Sequence, residues 1–501
     1  MLTRKKSCGA LVFLGVMLGL SGAAHGMFAD KDQTIQVGGK IQTRFSIRTD
    51  DSSGFTFPEV SAGDWVQWRN IAYVEVTHDL RQLMDKTWLL MPFRAAGLNV
   101  RYHLVGRFLY EGIYDFGPEQ FQDVREADED AIDDFKKDAD LWEAYADFVG
   151  GPVFLRIGKQ NLSWGETDGF RLLDLINPLD NTFGGIFEDL DDRRIPIMLL
   201  RGAYNFGDFG PFGTVTLESF WNPTFMDDKV APLAPFGTVY AVPAPAAPAG
   251  IGTRIIGPEE NMDGSRYGFR LQWVMASNFN FSVAHYRSYP DGPALRLVLD
   301  PGPVQEIVFP DVNVTGGTLS FFVPPLGTVV RSEVAYTWDQ PVFIPEENAP
   351  LLVGVPQSGR IPTKRFFSFC VGLDKQIWIR PLNKKSMFFL SAEYFGQWYP
   401  DFDERMRVAL PVYPSGQFET IKRLEQNIVF AVSNNWHSGL INPQFTFIYD
   451  PRGAYLVQPQ VTFIHEPLRL TVQWSAINGE FHGIGAFRDR DQVSFILTAL
   501  F

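Results

Sequence analysis

The segment GKQNLSWGETDGFRLLDLINPLDNTFGGIFEDLDDRRIPI, residues 158 to 197, gathers charges of both signs at short spacing. Trp164, Glu166, Asp168, Arg171, Asp174, Asn177 and Asp180 come first, and Glu188, Asp189, Asp191 and Asp192 then run directly into Arg193 and Arg194. Carboxylates and guanidiniums held this close can latch a chain segment through ion pairs, or they can present charge to a passing solute, the device by which charged side chains select in channels. Both uses are open here. Catalysis is a third possibility, with Glu166 as acid or base, or His103 or His285 activating a serine.

The elements that must position these groups are strands. In IQVGGKIQTRFSIR, Ile35, Val37, Ile41, Phe45 and Ile47 share one parity, while Gln36, Lys40, Gln42, Arg44 and Arg48 take the other. LNVRYHLVGRFLYEG sets Val100, Tyr102, Leu104, Phe108 and Tyr110 against Arg101, His103, Arg107 and Glu111, and SRYGFRLQWVMA sets Tyr267, Phe269, Leu271, Trp273 and Met275 against Arg266, Arg270 and Gln272. Period-two alternation is strand geometry, because successive side chains leave on opposite faces. A soluble sandwich also alternates, but strands this long with aromatics near their ends fit an apolar belt facing lipid and a charged lumen. Arg44, Arg101, Arg107, Glu111 and Arg270 then point inward. His103 shares that inward parity, whereas a barrel hydrolase needs its His and Ser facing the membrane, so no catalytic residue is assigned.

The connections alternate in length. Short turns fall at 150–152, 206–211, 277–278, 324–328, 381–385, 437–440 and 466–467, and longer segments at 49–64, 115–139, 161–194, 223–264, 290–308, 339–363, 400–424 and 478–489. Brief periplasmic turns and longer outer loops give this pattern. The tight turn at 450–454 breaks it on the loop side, and 79–96 is long enough to hold a short helix. The sequence therefore predicts an all-β transmembrane antiparallel barrel of about 16–18 strands. Between 161 and 194 the period stops while Phe170, Leu172, Leu173, Leu175, Ile176, Phe183, Ile186 and Phe187 persist. So apolar a loop needs shelter, which predicts that it folds inward and narrows the mouth; Asn177-Pro178 reads as a turn start within it.

The termini agree. Residues 1–26 have a basic start (Arg4, Lys5, Lys6), an apolar run from Ala10 to Leu20, and small residues after it, the anatomy of a cleaved signal peptide. The mature chain, 27–501, is expected to form one barrel domain. Removing those three cations from a net charge of −14 leaves −17, which disfavours nucleic acid as a partner. Only Cys370 remains, and no C-x-x-C, H-E-x-x-H, G-x-S-x-G, Walker loop or dinucleotide fingerprint is present, so no cofactor or metal is expected. Nine carboxylates lie between Asp123 and Asp140, a run that suits hard cations but matches no EF-hand, so a solvated charge run is the plainer reading. The C-terminal strand alternates Val493, Phe495, Leu497, Ala499 and Phe501. It is expected to close the barrel, with Phe501 resembling the signal read by the outer-membrane barrel assembly machinery.

GKQNLSWGETDGFRLLDLINPLD, DDRRIPI, LRLVLD, RSEVAYTWDQP, IRPLN and FFLSAEYFGQW resemble the landmarks of domain-of-unknown-function family 1302, a group of predicted Gram-negative outer-membrane barrels. The resemblance covers nearly all the mature chain and is most specific from Gly165 to Asp180. It makes Trp164, Gly165, Glu166, Asp168, Arg171, Asp174, Asn177, Pro178 and Asp180 motif positions, and it implies envelope transport, often beside resistance-nodulation-division exporters and metabolism of hydrophobic compounds. The expected function is an outer-membrane channel or facilitator for small hydrophobic or amphipathic solutes, narrowed or gated by the inward loop. Apolar outer segments at 231–252 and 349–355 suggest such a solute, although Pro- and Ala-rich loops are often linkers. The lumen and constriction candidates are Trp164, Glu166, Asp168, Arg171, Asp174, Asn177, Asp180, Arg193, Arg194, Arg44, Arg101, Arg107, Glu111 and Arg270. The alternative is a non-catalytic barrel that binds or sheathes an envelope partner such as an exporter or electron carrier.

Overall fold

A computed structural model describes residues 27–51, 59–210, 213–235, 237–240, 251–275, 279–299, 302–412 and 417–501. The leader at 1–26, the turn at 277–278 and residues 241–250 of the apolar outer segment lie outside the described residues.

Eighteen antiparallel strands form the wall. They are β1 (Ile35–Arg48), β2 (Trp65–Asp79), β3 (Asn99–Glu111), β4 (Lys137–Gly150), β5 (Val153–Gln160), β6 (Ile197–Asp208), β7 (Thr214–Asn222), β8 (Arg266–Met275) and β9 (Phe279–Ser288). The second half comprises β10 (Val312–Val323), β11 (Thr328–Pro341), β12 (Thr363–Ile377), β13 (Phe388–Trp398), β14 (Leu424–Ser433), β15 (Ile441–Asp450), β16 (Ala454–His465), β17 (Leu468–Gly479) and β18 (Gln492–Leu500). Each pairs with its sequence neighbour, and β18 closes on β1 in the register Ile41 to Ala499 and Phe45 to Phe495. The two-residue strand Met27–Phe28 adds to the periplasmic end of β1. Closure leaves the wall without an unpaired edge, the condition for strands to cross lipid. Among the described residues no helix is long and apolar enough to cross a membrane.

The faces follow the alternation. Leu104, Phe108, Tyr267, Phe269, Val371, Phe430 and Phe495 are exposed on the outer surface, whereas Arg44, Arg69, Glu111, Glu218 and Glu333 are buried on the inner one. A closed barrel with an apolar exterior and a charged interior is an outer-membrane β-barrel, and that membrane is where this protein resides.

The long segments fold rather than trail. The acidic stretch forms helices Glu119–Ala127 and Glu129–Phe135, with Asp128 capping the second by accepting the Ala131 N–H at 3.3 Å. Their apolar side chains Phe121, Val124 and Ile132 are buried in the mouth with Val239, Tyr240 and Ile484. The carboxylates of the run are mostly solvated, as expected, while the apolar face of these helices caps the mouth. Asp115 and Asp133 are neutralised by Arg125 and Lys136 at 2.7–3.0 Å. The long periplasmic connection holds two short helices, Arg81–Met84 and Met91–Ala95. The 290–308 segment forms strands Ala294–Val298 and Val304–Val308, which pair with each other, and the second also pairs with Gly252–Ile256, making a three-stranded outer sheet. Ala231, Ala234, Val239 and Tyr240 are buried, so the described part of 231–252 is packing, not exposed apolar surface. Leu352 and Val355 of the second apolar segment are exposed as expected.

Candidate functional site

After β5 the chain leaves the wall and enters the lumen. One fully buried amide ties the two ends of this excursion: Asn177 donates to the carbonyls of Gln160 at 3.2 Å and Ile195 at 2.8 Å, and accepts the Leu162 N–H at 2.8 Å. A short ladder continues it, with Asp180 N–H to the Arg193 carbonyl at 2.7 Å and Ile195 N–H to the Pro178 carbonyl at 2.9 Å. Trp164 is buried against Phe220 and Tyr286, ring centroids 5.1 and 5.9 Å away, and its Nε1–H donates to Glu218 at 2.9 Å. Leu162, Leu172, Leu173 and Ile176 complete this core inside the barrel. A buried indole usually finds such an acceptor, and here the acceptor fixes the loop to β7.

Beyond Trp164 the loop is held from the wall by carboxylates that accept backbone N–H groups. Glu333 on β11 accepts from Glu166 at 2.6 Å and Leu173 at 2.7 Å, and Glu393 on β13 accepts from Asp168 at 3.4 Å and Gly169 at 3.3 Å. Arg331 donates to the Glu166 carbonyl and the Asp168 carboxylate, both at 2.6 Å, and also pairs with Asp374 at 2.6 Å and Glu393 at 3.3 Å. The glycines permit this approach. A Cβ at Gly169 would lie 3.0 Å from Val429, and one at Gly165 would lie 3.1 Å from the Asp174 Cβ.

The later half of the loop crosses to the other side. Glu188 accepts from Arg69 on β2 at 2.9 Å and lies 3.6 Å from Arg44 on β1, while Asp192 pairs with Lys40 at 2.7 Å. Gln67 donates to the Phe183 carbonyl at 2.6 Å and Gln473 to that of Phe187 at 3.3 Å. The loop is therefore fastened at both walls and spans the lumen, as its apolar, aperiodic sequence requires. Removing one partner of a buried ion pair costs about 3–5 kcal/mol, because the survivor is left uncompensated.

The expected residues take different places. Arg171 donates to Asp291 at 2.9 Å and to the Asn177 carbonyl at 2.6 Å; Arg194 joins Asp174 at 2.5 Å to Asp191 at 2.6 Å. Asp180 accepts the Thr182 N–H at 2.9 Å, and Arg193 donates to Asn181 at 2.8 Å. Arg270 shares Glu218 with Trp164, at 2.7 Å. Arg107 lies 2.6 Å from Asp138 and over the Trp142 ring, and Glu111 accepts the N–H groups of Trp68 at 2.7 Å and Ile113 at 3.3 Å. Arg101 is exposed, in register with Asp79 and Asp147 near the periplasmic rim. Arg101, Arg107 and Glu111 point inward as their parity demands, but the bonds of Arg107 and Glu111 are to the wall and the mouth cap, not to the loop. His103 bonds Thr77 at 2.8 Å, and His285, on the lipid side, bonds Thr315 at 2.9 Å.

Two cavities flank the loop. One, of about 590 Å³, lies on its periplasmic side and is lined by Lys40 and Arg194 together with six carboxylates, among them Glu166, Asp168, Asp174 and Asp192. The other, of about 610 Å³, lies between the loop and the wall from β13 to β17, where Gln397, Gln444, Gln458, Gln460 and Gln473 face Phe170, Phe187 and Glu188. They adjoin at Asp168, Asp189 and Leu190, which line both. The Asp168 side chain is 71% exposed to this space. Enclosure by the barrel, then the neighbouring Asp192, raise the Asp189 carboxyl above its ordinary range although it meets lumen water. Sequence reasoning missed Glu218, Arg331, Glu333, Glu393 and the glutamine wall; their signal was isolated polar residues at inward positions of otherwise apolar strands.

A closed barrel with a carboxylate-clamped loop across its lumen defines a porin-like outer-membrane protein. Residues 7–501 match the family described as protein of unknown function (DUF1302), and the chain belongs to that family. No curated protein matches it. Among solved structures, Pseudomonas aeruginosa OccK9 (OpdG) is similar at 9% identity and a TM-score of 0.47, covering 95% of this chain and 99% of that one. A BenF-like porin from Pseudomonas fluorescens Pf-5 is similar at 8% identity and a TM-score of 0.47, covering 93% and 98%, and P. aeruginosa OccK3 (OpdO) at 7% and 0.44, covering 93% and 95%. At such identity the likeness assigns no residue a role.

Proposed function

We propose that this protein is an outer-membrane channel for small molecules whose conductance is set by the loop at 161–194. One observation carries the reading: the loop is fastened to opposite walls, yet two cavities adjoin around it at Asp168, Asp189 and Leu190. A loop that served only to plug would have no reason to keep an exposed carboxylate, Asp168, in that gap. Here Glu166, Asp168, Asp189, Arg171 and Arg193 face solute, whereas Trp164, Asp174, Asn177, Asp180 and Arg194 hold the loop's shape. Arg44 and Arg270 anchor it to the wall through Glu188 and Glu218. Arg101, Arg107 and Glu111 contribute charge to the rest of the lumen. The test is single-channel conductance in a planar bilayer, for the intact protein and for one with residues 166–190 replaced by a short Gly/Ser link. A small conductance that rises severalfold on replacement supports the reading; no current from either form contradicts it.

Exposed Trp88, Leu89 and Met91 on the periplasmic turn favour a second reading, in which the barrel binds a periplasmic partner. Silent bilayers together with a co-purifying partner lost in W88D would favour it over the channel.

A further inference from the structure

The lining of the two cavities is lopsided in charge. Six carboxylates and two cations line the periplasmic one, and both cations are already committed, Lys40 to Asp192 and Arg194 to Asp174 and Asp191. Arg331, which meets Asp168, divides its guanidinium among Asp168, Asp374 and Glu393. Asp174 keeps one buried carboxylate oxygen, Oδ1, that accepts no hydrogen bond, beside the same cavity. Asp191, although paired with Arg194, keeps its side chain 90% exposed. The opposite wall is built from amides. Gln460 donates to Gln444 at 3.1 Å and Gln458 to Ser475 at 3.0 Å, so both amide groups already donate within the wall. Among these wall residues of β13–β17 no side chain is charged, while Ile448, Leu456 and Val429 add apolar surface.

A carboxylate-lined passage in a low-dielectric enclosure concentrates cations and repels anions. A neutral amide wall with apolar residues between its members wets the solute and accommodates a hydrocarbon body. We infer that the solute passes off-centre, between the loop and the β13–β17 wall, and that it is a small organic cation, an ammonium or guanidinium on a short apolar body. The inference rests on the channel reading above and names the solute class of the same site. The organic ammonium meets Asp168 and Asp189 at the junction, where it replaces part of its hydration with carboxylate oxygens. Its apolar part slides past Phe170 and Phe187 on the loop and Ile448 and Leu456 on the wall. A carboxylate solute would instead meet six like charges in the periplasmic cavity, whose lysine and arginine are committed, and in the other cavity four carboxylates against two arginines, Arg171 and Arg193, which already donate to Asp291 and Asn181.

The test is the reversal potential of the intact protein in a planar bilayer under a KCl gradient, repeated with choline chloride and with potassium benzoate, and then with D168N/D189N. Folding of the variant is checked by heat-modifiable migration on a gel. The expected result is potassium over chloride permeability severalfold above one, measurable choline current with little benzoate current, and a collapse of the permeability ratio toward one in the folded variant. Current that is unselective or anion-selective overturns the inference while leaving the channel intact, as does a folded D168N/D189N variant with unchanged selectivity. Absence of current in every salt overturns the channel reading itself.

Discussion

Glu333, on the β11 wall, accepts the backbone N–H of Leu173 at 2.7 Å, and the same carboxylate accepts that of Glu166 at 2.6 Å. One buried side chain therefore holds two points of the loop, seven residues apart, at a fixed distance from the wall. A carboxylate accepting charge-assisted bonds is a stronger latch than a neutral acceptor, each such bond contributing about 1.5–3 kcal/mol. Glu393 repeats the device at Asp168 and Gly169.

Removing both latches, as E333A/E393A, should detach the segment from Glu166 to Leu173 while leaving the barrel closed. The expected outcome is proteolytic cleavage within 166–173 under conditions where the intact protein resists, together with higher and noisier single-channel current. Unchanged resistance and current would place the loop's support elsewhere.

Trp164→Ala removes a buried indole and its hydrogen bond to Glu218, which keeps its pairs with Arg201 and Arg270. Large-to-small changes of a buried Trp cost about 3–5 kcal/mol. Because the loss falls on the loop, it should appear as loop release in hydrogen exchange at 161–177, with little change in the exchange of β1 to β4.

Asp189 supplies a pH dependence. Its enclosure raises the carboxyl's pKa, with Asp192, Glu188 and Asp191 acting in the same direction and Arg44 opposing them. As pH falls, Asp189 loses its charge before an ordinary carboxylate does. Cation preference should therefore begin to decline above the usual carboxylate range, and D189N should remove that first step from the pH profile of the reversal potential.

The wall makes a separate prediction. Val371 faces lipid near the middle of β12. Val371→Arg should destabilise the barrel by about 2–4 kcal/mol in urea refolding into bilayers, the range for a cation at the midplane. A loss near zero would mean that this face does not meet hydrocarbon.

Much of this architecture was legible in the sequence. Alternation of Ile35, Val37 and Ile41 with Gln36, Lys40 and Gln42 is a local property of a strand, so the parity of Arg44, Arg107, Glu111 and Arg270 followed from it directly. The inward loop was legible because an aperiodic apolar stretch must be sheltered. Its contacts were not. Glu188 finds Arg69 across more than a hundred residues of chain, and Asp168 finds Arg331 across still more. Such pairings depend on which strands face each other across the closed barrel, and no local pattern encodes that. The solvated acidic run at 123–140 was legible, but the helical face beneath it was hidden for a related reason. Phe121, Val124 and Ile132 lie on one helical face, but nine carboxylates between Asp123 and Asp140 drown that period unless the mouth they pack against is known.

The central claim, that the loop lies in the path of solute, is tested most directly at Asp168. In Asp168→Cys the new thiol is exposed, and the native Cys370 is buried. Single-channel current is recorded before and after a cationic, membrane-impermeant methanethiosulfonate reagent is added, with modification confirmed by mass. The account predicts a stepwise fall in current as the bulky adduct forms. Complete modification with no change in current would contradict it.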